Sequence, residues 1–97
     1  MLHIVNRAPQ AGNALADCLR ICDAGAGILL IEDGVVAALA NGSWLPRILE
    51  RTHNLYVLEA DVAARGLAGK IAANAQVVDY AGFVALCCEY PGTYSWY

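Results

Sequence analysis

Gly27-Ile28-Leu29-Leu30-Ile31 is an unbroken apolar run, bounded by Asp23-Ala24-Gly25 before it and Glu32-Asp33 behind it. Five apolar residues without alternation leave no side for water, so the run reads as a strand covered on both faces. Strands of that kind belong to parallel sheets, because the crossover between parallel neighbours lays a helix against the sheet. The rest of the chain supplies the partners. Leu2-His3-Ile4-Val5, Leu55-Tyr56-Val57-Leu58 and Ala75-Gln76-Val77-Val78 are short, largely β-branched or aliphatic runs that read as further strands.

Helical patterns lie between them. Leu15, Cys18, Leu19 and Cys22 recur at helical spacing, with Asp17 and Arg20 on the other side. Asp23-Ala24-Gly25 ends that helix, with Gly25 expected in the left-handed turn. Asp33 stands where an N-cap would precede a short helix over 34–40, and Trp44 to Arg51 reads as weakly helical. Asp61 to Gly66 forms another short helix. Asp79 caps a last one, whose apolar stripe is Phe83, Leu86, Cys87 and Tyr90. Pro91-Gly92 closes it, and residues 93–97 form an aromatic tail. The alternation predicts an α/β fold, one domain over 1–97, with a mostly parallel sheet of four or five strands and helices on both faces.

Composition narrows the function classes. The chain has 97 residues, 59% of them hydrophobic and 15% charged, with a mean hydropathy of +0.46. That is too apolar for disorder. At this mass a folded chain exposes roughly 5,400 Å², about 64% of the unfolded surface being buried. So much apolar residue in so small a domain implies alanine filler, a partner surface, or both. Net charge is −3 and the six basic residues are scattered, so no patch exists to grip nucleic acid. No apolar stretch approaches the roughly 20 residues of a membrane span, and the first residues do not read as a secretory signal. The cytoplasm is the expected compartment.

In a parallel α/β fold, chemistry gathers at the carboxyl ends of the strands. Here those ends are Asn6-Arg7, Glu32-Asp33-Gly34, Glu59-Ala60-Asp61 and Asp79-Tyr80. Three of the four are acidic, which disfavours phosphate and nucleotides, and neither a Gly-x-Gly-x-x-Gly nor a P-loop occurs. Capping explains Asp33, Asp61 and Asp79 more simply than metal binding or acid–base work. The four cysteines include no Cys-x-x-Cys, so zinc is not expected and the thiols read as reduced. Cys22 and Cys87 read as core, Cys88 as a boundary residue, and Cys18 as either core or a reactive thiol. His3 reads as a satisfied internal histidine and His53 as solvated.

Taken in order, five segments look like the TusB/DsrH family: residues 1–9 (Met-Leu-His-Ile-Val-Asn-Arg-Ala-Pro), Leu29-Leu30-Ile31-Glu32-Asp33-Gly34-Val35, Leu55-Tyr56-Val57-Leu58, Asp61-Val62-Ala63-Ala64-Arg65-Gly66-Leu67 and Val78-Asp79-Tyr80-Ala81-Gly82-Phe83-Val84. Trp96 near the end fits as well. Gln10 departs from the pattern, where an aromatic often follows the proline. The resemblance implies a three-layer α/β/α sandwich of the DsrE/F/H-like kind. It also implies a non-principal subunit of a sulfurtransferase complex, assembled with TusC/DsrF-like and TusD/DsrE-like paralogues as a dimer of heterotrimers. In the Tus branch, persulfide sulfur passes from a TusA-like donor toward a TusE/DsrC-like acceptor for 2-thiolation of the tRNA wobble uridine. In the Dsr branch, the same kind of complex serves dissimilatory sulfur oxidation. The main sulfur-carrying cysteine is expected on the TusD/DsrE-like partner. Cys18-Leu19-Arg20 matches the cysteine context of DsrH-type members, which makes Cys18 a candidate secondary persulfide acceptor. The resemblance implies no cofactor and no metal; the tRNA branch is the preferred reading. A purely structural interaction subunit is the competing one.

Overall fold

The computed structural model describes residues 1–97. Five strands, β1 (Leu2–Val5), β2 (Gly27–Leu30), β3 (Leu55–Leu58), β4 (Ala75–Val78) and β5 (Thr93–Trp96), form one sheet in the order β4-β3-β2-β1-β5. Every pairing is parallel. The apolar run is the central strand, and all four residues of β2 are buried. Four helices connect the strands: α1 (Ala14–Ile21), α2 (Trp44–Leu49), α3 (Glu59–Ala64) and α4 (Tyr80–Glu89). Total exposed surface is 5187 Å², close to what the mass dictates.

The handedness of crossovers distributes these helices. From β1 to β4 the chain steps across the sheet in one direction, and right-handed connections put α1, α2 and α3 on one face. The step from β4 to β5 reverses direction, so α4 falls on the opposite face. The core reflects that division. A cluster of 19 buried residues, including Leu15, Cys18, Ile28, Leu30, Val35, Ile48 and Val57, fills the first face. The second face holds four, Leu2, Leu29, Val78 and Leu86, with Phe83 and Cys87 of α4 and its C-cap Tyr90 against them.

Several local expectations are corrected. The aromatic tail is the fifth strand, paired with β1 so that His3 meets Tyr94 and Val5 meets Trp96. Gly25 does not take a left-handed turn; the positive-φ glycines are Gly66 and Gly69. Instead α1 ends as Cys22 turns extended, its amide still bonded to the Cys18 carbonyl. The segment after β2 is a 3-10 helix over Glu32–Ala38, capped by backbone at Ile31, so Asp33 lies inside it rather than before it. Asp61 likewise lies within the first turn of α3. Trp44–Leu49 is a true helix: Pro46 sits in its first turn, where no amide bond is forfeited. Asp79 does cap α4, its Oδ1 accepting from the Gly82 amide at 2.8 Å.

Candidate functional site

Two of the strand ends, those of β2 and β3, meet at Arg65. Arg65 donates from Nε to Asp33 Oδ1 at 2.9 Å and from Nη1 to the Asp61 carbonyl oxygen at 3.2 Å. Asp61 in turn accepts the Glu32 amide through Oδ2 at 2.7 Å. Glu32 carries a φ of +49°, a left-handed conformation costly for a side chain with a Cβ, and this hydrogen bond helps to hold it there. Two of the acidic strand ends are therefore tied to one guanidinium that is itself largely covered. No three of the His, Cys, Asp and Glu side chains converge on a point where an ion would sit. The Asp61–Arg65 pairing was readable as an i, i+4 spacing on a helix; its reach to Asp33 was not. Beside it, Asn6, Arg7, Ala8, Ala11, Glu32 and Asp33 line a polar cleft of about 200 Å³.

The thiols are separated by burial. Cys18 is completely inaccessible, beneath α1 in the main core, and Cys22 is almost so. Burial, reinforced by Cys22 nearby, pushes the Cys18 thiol up to about 12. At neutral pH that leaves roughly a thousandfold less thiolate than an ordinary cysteine would show. Arg20 gives it no help, because its guanidinium pairs with Asp17 on the outer side of the helix. Cys87 is half-buried against the second core and Cys88 is exposed; all four are free thiols.

His3 is buried and satisfied, as its pattern indicated. The Trp96 indole donates to His3 Nδ1 at 3.1 Å, and the rings lie 6.1 Å apart. This contact latches β5 to β1, and Tyr94 stacks beside Trp96 at 4.9 Å. The signal for it was the alternation of aromatics at 94 and 96, which matches the period of a strand. Burial first, and the positive amino terminus second, lower the His3 pKa, with Asp23 opposing them. The bond requires a neutral ring, since protonation places a hydrogen on the accepting nitrogen. The unfolded histidine titrates near ~6.5, so in acid the unfolded chain takes up the proton first. Stability from this site is therefore full above that pH and is lost as pH falls through it toward the folded value. Urea midpoints should drop on acidification in this range for the native chain. In His3→Phe that dependence should vanish, and an equal slope in both would refute the latch.

The family model described as DsrH like protein matches residues 7–92. Protein TusB of Pectobacterium parmentieri is 40% identical over 96 residues, which is 99% of this chain and 100% of that protein. Protein TusB of Klebsiella pneumoniae strain 342 is 42% identical over the same coverage. Protein TusB of Yersinia pestis strain Pestoides F is 38% identical, again end to end. No helix here is long and apolar enough to cross a membrane. With a match across nearly the whole chain and relatives aligned along their full length, the chain belongs to the DsrH/TusB family.

Proposed function

We propose that this chain is the scaffolding subunit of a TusBCD-like sulfurtransferase, which relays persulfide sulfur for 2-thiolation of the wobble uridine in tRNA. Its partners are the two paralogous subunits, TusC-like and TusD-like, with a TusA-like donor and a TusE-like acceptor docking on the assembled complex. The observation that carries this reading is the end-to-end similarity to TusB proteins at about 40% identity. The thiol environment supports the division of labour. Persulfide transfer needs an accessible thiolate, and Cys18 is buried with its ionisation suppressed. Cys18 therefore serves packing, and the relay sulfur sits on a partner subunit. The DsrH-like reading, in sulfur oxidation, leans on the Cys18-Leu19-Arg20 context, which this burial weakens.

Co-expression with the two paralogues and loading with a persulfide donor tests both points. A stable complex should form, and mass spectrometry should find added sulfur on the TusD-like subunit and none on Cys18. Cys18→Ala should leave transfer within about twofold of the native rate while lowering stability by ~1–2 kcal/mol, the cost of a small core cavity. Sulfur recovered on Cys18 itself would instead make it a secondary acceptor that opens transiently. Failure to assemble with either paralogue would overturn the functional reading.

A further inference from the structure

The six basic residues are scattered along the sequence, yet the fold gathers three of them. Arg20, Arg47 and Arg51 line one cleft of about 300 Å³ between α1 and α2, together with Glu50, Ala16 and Leu19. The cause is topological. α1 and α2 both return across the same face of a parallel sheet, so their C-terminal turns lie side by side. Cations are favoured at helix C-termini, and each of these arginines lies in or just past a last turn. That accounts for the arginines one at a time, but not for the charge left over where they meet. Arg20 is paired with Asp17. No carboxylate lies within 4.0 Å of the nitrogens of Arg47 or Arg51, although Glu50 lines the same cleft. Both guanidiniums are nevertheless held in place. That of Arg47 lies over Trp44, 4.0 Å from the ring centroid, and Arg51 Nη2 donates to the Cys22 carbonyl oxygen at 3.2 Å.

We propose that this cleft docks an acidic segment of a partner protein, its carboxylates on Arg47 and Arg51 and an apolar side chain against Ala16 and Leu19. Two oriented guanidiniums without counter-charges match carboxylates, which meet the planar fork of an arginine bidentately. Three features favour a protein segment over a nucleic acid. The chain as a whole carries −3, so a polyanion is repelled outside the cleft. Glu50 stands in the cleft itself and opposes a continuous run of phosphates. Trp44 offers no face for a base, since Arg47 covers the ring and the main core packs against it. Arginine beside tryptophan is, in contrast, a composition enriched where protein surfaces bind one another. This role is independent of the sulfur relay.

Fluorescence anisotropy of a labelled peptide alternating glutamate and leucine tests the cleft, with the full chain as receptor. Saturable binding should appear below about 1 mM, weaken as salt is raised, and be absent for the glutamine version of the peptide. Arg47→Glu should weaken it by about tenfold or more. Arg7→Glu is the control: it changes net charge equally, at an exposed arginine in the polar cleft beside Asp33. It should alter binding by no more than about twofold. Arg20→Glu, at a side chain 74% exposed, leaves the Trp44 contact intact. It should weaken binding by about threefold or more, and it decides the matter if Arg47→Glu melts early by circular dichroism. Losses in the cleft variants no larger than in Arg7→Glu overturn the cleft as the site, and so does an absence of saturable binding. Tighter binding of a short oligouridylate, lost in the cleft variants, overturns the protein segment as occupant. Either failure leaves the relay reading as it stands.

Discussion

Gly34→Ala is expected to cost ~3 kcal/mol or more, a large fraction of the ~5–15 kcal/mol that holds a domain of this size together. A Cβ at Gly34 would stand 2.4 Å from the Val5 carbonyl oxygen and 3.2 Å from its carbon. Both are backbone atoms, so no rotamer change relieves the clash. The Val5 carbonyl also accepts the Ile31 amide at 3.0 Å, at the point where β1 and β2 end together. Relief requires either parting those strands or lifting the 3-10 segment that carries Val35, Ala37 and Ala38 into the core. The restriction is one of space, since Gly34 is not among the positive-φ glycines. Gly25→Ala provides the contrast, for nothing lies within 4 Å of its Cβ position and its φ is not positive. Urea denaturation should show a collapse of the midpoint for Gly34→Ala and little change for Gly25→Ala. Equal midpoints would mean that the turn does not seat against β1 as described.

Why Gly34 matters is a fact that the sequence could not convey. Its neighbourhood read as a capped helix because Asp33 followed by small apolar residues fits that pattern. The 3-10 form arises instead from close seating on β1, a contact between residues almost thirty positions apart. Elsewhere the periodicities sufficed. β1 to β4 fall on the apolar runs, and the stripe of α4 fell where it was expected, because burial on a sheet imposes period two or continuity and burial on a helix imposes 3.6. β5 was harder, since an exposed edge strand of Thr, Tyr, Ser and Trp carries no strong apolar signal and gains its order from β1 and the His3–Trp96 bond. At the strand ends, the acidic residues were visible but their common partner was not. Arg65 caps the C-terminus of α3, and only the fold brings it to Asp33. Cys18 shows the same gap: the spacing placed it on the apolar side of α1, but only depth beneath the helix decides whether a thiol there can ionise.

The inequality between the two sheet faces has a measurable consequence in neighbouring residues of β2. Leu29 and Leu30 are both wholly buried, and truncating either to alanine removes the same apolar surface from the same strand. The transfer part of the cost is therefore equal, and any difference reports how far each surrounding can close over the cavity. Leu30 is enclosed by the larger cluster, under helices pinned on several sides, and Leu30→Ala should cost ~4–5 kcal/mol. Leu29 lies under α4 alone, in the cluster of four, where one helix can settle inward; Leu29→Ala should cost ~2–3 kcal/mol. Chemical denaturation of the isolated chain measures both. Equal costs would show instead that the single-helix layer is as rigid as the other.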